Sequence, residues 1–544
     1  MSLELSRREL LASLLGLPLA ALVGCDGSAA RLPLQGEIIG AAHNLGHRLR
    51  DRAARSLPDS SLEPQEIVIV GGGIAGLSAA WRLKQAGVTN FTLLELEEAA
   101  GGTSRSGTMN GFAHPWGAHY LPAPTRENKA LLRLLEAMGM VDGHDAAGAP
   151  IFGEQYLCRD PEERLFANGQ WEEGLFPESL TSEADRAQFE RFQAEVMRWV
   201  RWRDADGRQA FAIPTAHCSK AAEMVALDRL SMTQWLDERQ LDSPRLRWWI
   251  DYACRDDYGL RASETSAWAG LFYFAARTQA DDATSQPLLT WPEGNGRLAN
   301  YLANEVRSHL HVGEAAAQLR CDEQHVNVLA LQADGADVGY RASQVIFAAP
   351  HFLAPYVIAD WPEGRRADTS TFRYGAWLVA NLYLRARPAN RGFAPCWDNV
   401  LLDSASLGYV VATHQLGLDH GPTVWTYYYP LCDLEPSAAR TQLLELRWQD
   451  WAEFVLTDLE QAHPEIRDLV ERLDVMHWGH AMIRPGVGFL WGGAREREAK
   501  PHGSIHFAHS DLSGVALFEE AFHHGVRAAE EVLTARGEKF STWL

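Results

Sequence analysis

The four residues Ile67-Val68-Ile69-Val70 run straight into Gly71-Gly72-Gly73-Ile74-Ala75-Gly76, and this junction restricts the chain to few folds. A run so short and so β-branched suits a strand buried on both faces rather than a helix. Gly71, Gly73 and Gly76 have the GxGxxG spacing: the first permits a tight turn, the second lets backbone approach a pyrophosphate, and the third lets a helix pack closely on the strand. A phosphate then sits at the helix N-terminus, where free N–H groups point outward. The pattern predicts a helix from Ile74 that stops where Ala86-Gly87 supplies a left-handed cap, then a strand Phe91 to Leu94 ending at Glu95. A carboxylate at that place can accept the ribose hydroxyls of an adenosine. Strand, glycines, helix, strand and acid together predict a dinucleotide-binding unit.

The chain's 544 residues carry 50 Lys and Arg against 71 Asp and Glu, a formal charge of −21, which argues against nucleic acid as a partner. With 46% hydrophobic and 22% charged residues it can bury a large core. Its seven cysteines form no CxxC pair. Ser6-Arg7-Arg8-Glu9-Leu10, the apolar stretch to Val23 and Leu22-Val23-Gly24-Cys25 read as an export signal over residues 1–25. The arginine pair resembles a twin-arginine signal, and the last four residues resemble a lipobox. That resemblance implies lipidation of Cys25, a periplasmic location and a tether to the inner membrane, with Asp26 as a retention signal. Residues 26–63 read as a tether. His43 and His47 within it are spaced as a metal pair on a helix, but two ligands without a third make a weak site.

After Glu95 a second glycine pair appears in Gly101-Gly102-Thr103-Ser104-Arg105, which is not a feature of NAD sites. Further on stand Gly117-Ala118-His119-Tyr120, Trp291-Pro292-Glu293-Gly294-Asn295-Gly296, Ala316, Val345 to Pro350, Ile505 to Asp511, and Leu517-Phe518-Glu519-Glu520-Ala521. Through these segments the chain resembles the flavin-containing amine oxidase superfamily, whose members include monoamine and polyamine oxidases, protoporphyrinogen oxidase and phytoene-type desaturases. The resemblance implies an α/β Rossmann-like FAD-binding domain, discontinuous in the chain, plus an α+β substrate-binding domain. It implies FAD contacts at Gly71, Gly73, Ala75, Gly76, Glu95, Gly102, Thr103, Arg105, Gly117, Ala118 and Ala316. Asp511 matches an acid that binds ribityl or phosphate oxygens in relatives, and Leu517 and Phe518 match the start of a helix facing the flavin's pyrimidine end.

Three features depart from the family pattern. No lysine stands after Pro350 where many relatives hold one near flavin N5; the apolar run Trp377 to Ala380 takes its place, which favours a quinone or carrier over oxygen as electron acceptor. No cysteine follows Cys432, so FAD is expected to be non-covalent. The family's Gly-Gly-Arg becomes Gly101-Gly102-Thr103, leaving Arg105 as the phosphate partner.

Flavin oxidation asks the protein for orientation, a neutral substrate form and a dry pocket. The candidates are His119 and Tyr120 beside the glycine turn, Trp478 and His480 in Trp478-Gly479-His480, and Trp377, Trp425 and Tyr427 as aromatic surfaces for an amine. Arg255-Asp256-Asp257-Tyr258-Gly259 reads as a capped helix end with an internal ion pair, with carboxylates aimed at a cationic substrate as the other reading. His502, His506 and His509 have metal-like spacing only on a helix, which Gly503 and the strand-like Ile505 to Ala508 oppose.

The domain plan is an FAD domain over 64–126, 285–350 and 482–536, with the substrate domain filling 127–284 and 351–481. The expected activity is oxidation of an amine or polyamine. A desaturase or dehydrogenase of a hydrophobic or ring substrate feeding quinone is the second reading, since Trp478 to Pro485 is closer to desaturases and protoporphyrinogen oxidase. A non-catalytic flavin-binding scaffold is the third.

Overall fold

The computed structural model describes residues 34–40, 46, 61–278, 285–332, 334 and 336–544. The export signal, Cys25, His43 and His47 lie outside the described residues. Two sheets organise the chain. The first has seven strands, in the order Leu310–Val312, Phe91–Glu95, Leu62–Val70, Asp337–Phe347, Val326–Gln332 and Glu314–Cys321, with Ile505–Phe507 also paired to Asp337–Phe347. The pairings among the first four strands and with Ile505–Phe507 are parallel, as expected of strands joined by helical crossovers. Ile67, Val68 and Ile69 are wholly buried, Ile67 and Ile69 in one apolar core and Val68 in another, so both faces are covered.

The helix Ile74–Gln85 ends at Ala86, and Gly87 follows with φ +87°, a conformation that costs glycine nothing. It packs against the last helix, Phe518–Ala535, at very short range. A Cβ on Gly525 would lie 2.0 Å from Ser78 Oγ and 2.2 Å from the Ala75 carbonyl oxygen. Glycine there lets the two helices touch, and Ser78 Oγ donates across the seam to the Phe522 carbonyl.

The second sheet has eight strands, in the order Ile38–Gly40, Val470–Ile483, Tyr374–Leu384, Thr423–Pro430, Tyr409–Val411, Asp398–Leu401, Glu163–Ala167 and Gln170–Glu173. Its first strand falls inside the segment expected to be a tether: Ile38–Gly40 pairs in parallel with Val475–His477, and Arg472 bonds Glu37 at 2.7 Å. Helices Glu183–Arg201, Pro244–Tyr258 and Ala267–Ala275 pack on one another. The first has a Ser182–Asp185 capping box; the second starts on Ser243 and Pro244 and ends at left-handed Gly259, φ +56°. Among the described residues no helix is long and apolar enough to cross a membrane.

Candidate functional site

A cavity of about 630 Å³ lies between the two sheets. The first sheet and its loops bring Gly71, Gly73, Ala75, Glu95, Gly102, Thr103, Arg105, Gly117, Ala118 and Ala316 to its wall, and the last helix adds Leu517 and Phe518. Glu95 is fixed at the end of its strand by the N–H groups of Gly72, 2.6 Å from Oε2, and Glu97, 2.8 Å from Oε1. Burial raises its pKa, and those two N–H groups oppose the rise. The second glycine pair docks on the first, since Gly101 N–H donates to the Gly72 carbonyl at 2.8 Å.

Gly76 does not line the cavity; a Cβ there would lie 1.8 Å from the Gly71 carbonyl oxygen, so its task is the tight turn behind the site. Gly73 differs, with nothing within 4 Å of its Cβ position and φ −71°. Open space above a helix N-terminus whose first N–H groups are unpaired is what a pyrophosphate requires. Arg105 adds to this. It pairs loosely with Glu97 at 3.6 Å, yet its Nε and Nη2 are buried without a hydrogen-bond partner among the described residues. Asn295 Oδ1 is similarly buried and unpaired. Orphaned buried polar groups cost free energy unless a ligand meets them, and the two Arg105 donors fit an anionic dinucleotide.

Asp511 corrects the expectation that it meets ribityl or phosphate oxygens. Its carboxylate is 1% exposed, does not line the cavity, and is consumed by Tyr374 Oη at 2.5 Å, His351 N–H at 2.9 Å and His509 Nδ1 at 2.9 Å. Burial opposes its charge, but His509 and these hydrogen bonds outweigh burial and hold the pKa low. His509 and Ser510 reach the cavity instead.

On the other side the second sheet contributes Trp377, Val379, Tyr428, Trp478 and His480, and the loop after Gly117 contributes His119 and Tyr120. His119 lies against Tyr428, ring centroids 4.7 Å apart, and burial pushes its pKa down to about 4, so it is neutral at neutral pH. Tyr428 Oη donates to the Gly117 carbonyl at 2.8 Å, and Trp478 Nε1 to the Trp116 carbonyl at 2.6 Å. These bonds tie the aromatic wall to the glycine loop. His480 stacks on Phe352 at 4.3 Å.

Trp425 and Tyr427 do not join this wall, which corrects the aromatic cage expected from them. Trp425 stacks on Tyr409 at 4.0 Å and Tyr427 donates to Asp458 at 2.8 Å, both in the core on the sheet's far face. Strand alternation explains it. Tyr428 is paired with Val379 and shares its face, whereas Tyr427 is paired with Ala380. Once Trp377 is placed on the cavity, period two selects Tyr428.

The cluster at 255–259 ends a helix and reaches the cavity wall. Asp257 Oδ2 pairs with Arg277 Nη2 at 2.7 Å, and Arg255 bonds the Ala405 carbonyl at 3.0 Å, as a capped helix end would. Asp256 lines the cavity and makes no hydrogen bond or ion pair with a described residue. Burial and the neighbouring Asp257 raise its pKa to about 7 against Arg277 and Arg255, and a cation arriving beside it would favour the ionised form. Arg277 and Glu519 also line the cavity, and neither carries a role among the expectations from sequence. His506 lies on a strand, bonded to Glu531 at 3.0 Å and Gln344 at 3.1 Å. Among the described residues no group of three or more His, Cys, Asp or Glu is arranged to hold a metal.

Residues 69–138 match the model of an NAD(P)-binding Rossmann-like domain. No curated protein matches the chain. Among solved structures it is similar to putrescine oxidase bound to putrescine, at 17% identity and a TM-score of 0.64, over 87% of this chain and 99% of that one. It is also similar to cyclohexylamine oxidase from Brevibacterium oxydans IH-35A, at 14% identity and a TM-score of 0.60, over 87% and 100%. A third is a fatty acid isomerase from P. acnes, at 15% identity and a TM-score of 0.60, over 87% and 98%. The chain has their fold: a Rossmann-like dinucleotide-binding part joined to a second, mixed part.

Proposed function

We propose that the protein is an FAD-dependent oxidoreductase that oxidises an amine or polyamine carried in as a cation. FAD would be held non-covalently, with Glu95 at the ribose, the Gly73 turn and Arg105 at the pyrophosphate, and the Leu517–Phe518 helix start at the ring. Its chemistry is acceptance of a hydride equivalent from the substrate carbon. The protein's share is to bind and orient. Trp377, Tyr428, Trp478 and neutral His119 make an aromatic wall, and a ring face attracts an ammonium group.

The observation that carries the amine reading is Asp256, a carboxylate on an aromatic-walled cavity with no ion-pair partner among the described residues. A carboxylate on such a wall gains a charge-assisted contact when a cation arrives beside it. The putrescine and cyclohexylamine oxidases that share the fold act on such cations and support the same reading. Its test is Asp256→Asn in the yellow holoprotein. Loss of one charge-assisted contact, about 2 kcal/mol, raises KM for an aliphatic amine about 30-fold at unchanged flavin content. An unchanged KM would overturn the role of Asp256. Export and lipidation at Cys25 belong to the same proposal, and the mass of the mature N-terminal peptide tests them.

A further inference from the structure

A second cavity, about 410 Å³, lies beside the first, between residues 122–128, residues 203–217 and the start of the last helix. Glu519 lines both cavities. It is the second residue of the helix Phe518–Ala535 and only 4% exposed. Apart from its own backbone N–H, its carboxyl has no hydrogen-bond or ion-pair partner among the described residues. A buried, unpaired carboxyl open to two cavities is poorly explained by packing, because stability alone would favour an apolar residue or a paired one.

We propose that Glu519 is a proton gate: it passes the proton shed by the substrate's ammonium group from the first cavity to water in the second. This rests on the amine reading above. A C–H bond beside nitrogen yields a hydride only when the nitrogen lone pair is free, so an amine that enters as R–NH3+ must lose one proton inside the site. The N–H bond breaks with its electron pair left on nitrogen, and water in the first cavity takes the proton to the Glu519 carboxylate, where an O–H bond forms. That O–H bond then breaks toward water in the second cavity. The carboxylate is restored, and the substrate's positive charge has moved to bulk solvent.

The groups around Glu519 suit a site that both gains and loses a proton. From the first cavity it faces Arg277, Asp257 and Tyr120, and Glu520 adjoins it on its own helix. Around the second stand Arg126, Arg203, Arg208 and His217 against Glu127. Burial pushes the Glu519 pKa up to about 7; its backbone N–H and Arg277 oppose that, while Glu520 and Asp257 add to it. A transfer group works best near the operating pH.

The test uses holoprotein, wild type, Glu519→Gln and Glu519→Asp. Infrared difference spectra between about pH 6 and pH 8 should show a protonated-carboxyl stretch in the wild type that Glu519→Gln removes and Glu519→Asp keeps. Anaerobic single-turnover bleaching by an amine should slow roughly tenfold or more in Glu519→Gln and lose its ionisation near neutral pH, with partial rescue in Glu519→Asp. If amines bleach the wild type and Glu519→Gln changes neither rate nor pH profile, or keeps the infrared band, the gate is wrong and the amine reading stands. If no amine bleaches the wild type, both fail.

Discussion

Two glycines of one motif should fail in different ways when given the same methyl group. In Gly76→Ala the new Cβ lies 1.8 Å from the Gly71 carbonyl oxygen and 3.3 Å from Leu93 Cδ1. A comfortable carbon–oxygen contact is about 3.2 Å, so a buried backbone turn must yield by about 1.4 Å, at or above the usual 1–3 kcal/mol of overpacking. In Gly73→Ala the Cβ meets nothing within 4 Å, and φ −71° suits alanine. Loss of chain entropy in the unfolded state and the poorer N-cap nearly cancel, so the apoprotein changes by less than about 1 kcal/mol. The methyl instead occupies the space where a pyrophosphate approaches the backbone. Losing one charge-assisted hydrogen bond there, about 1.5–3 kcal/mol, weakens FAD binding by about 10- to 150-fold. The assay is fluorescence titration of each apoprotein with FAD, beside thermal unfolding of the same samples. Wild-type FAD affinity in Gly73→Ala would refute the placement of the cofactor, and unfolding of Gly73→Ala like Gly76→Ala would refute the division of labour.

Trp425→Leu should cost about 2–4 kcal/mol in denaturant unfolding and leave KM for an amine unchanged, because the ring is packed on Tyr409 away from the cavity; a KM effect without lost stability would restore the cage. Acid should act partly through His114, 1% exposed, whose pKa burial lowers from 6.5 to about 4 against the opposing bond to the Pro115 carbonyl. The unfolded chain then takes up the proton first as pH falls, so this contribution is complete above about pH 6.5 and is lost toward pH 4, about 2 kcal/mol of it by pH 5. Unfolding curves at pH 7 and pH 5 for wild type and His114→Gln check this, the variant losing about 2 kcal/mol less; an equal loss would contradict it.

The dinucleotide half was legible because its constraints are local. Strand, glycines, capped helix and acid follow one another within residues 67–95, and each glycine answers to backbone sterics that no distant residue can replace. Asp511 was not legible. What removes it from the cofactor are Tyr374 Oη and His351 N–H, groups 137 and 160 residues away that no local pattern announces. Trp425 and Tyr427 were misplaced because three consecutive tyrosines hide the phase of a strand, which only the register against Val379 and Ala380 reveals. Ile38–Gly40 read as a tether because three residues carry too little periodicity to show a strand. Glu519 was quoted within its motif but given no role, since its meaning depends on two cavities that meet only in the folded chain.

The central claim is that this cavity oxidises a cationic amine at a bound flavin. Its most direct test is anaerobic titration of the purified holoprotein's flavin band with polyamines, monoamines and amino acids, followed by readmission of oxygen. The account predicts bleaching by a polyamine or monoamine, with fast recovery marking an oxidase and slow recovery a dehydrogenase that feeds another acceptor. A flavin band untouched by every amine would contradict it and move the assignment to a desaturase or a scaffold.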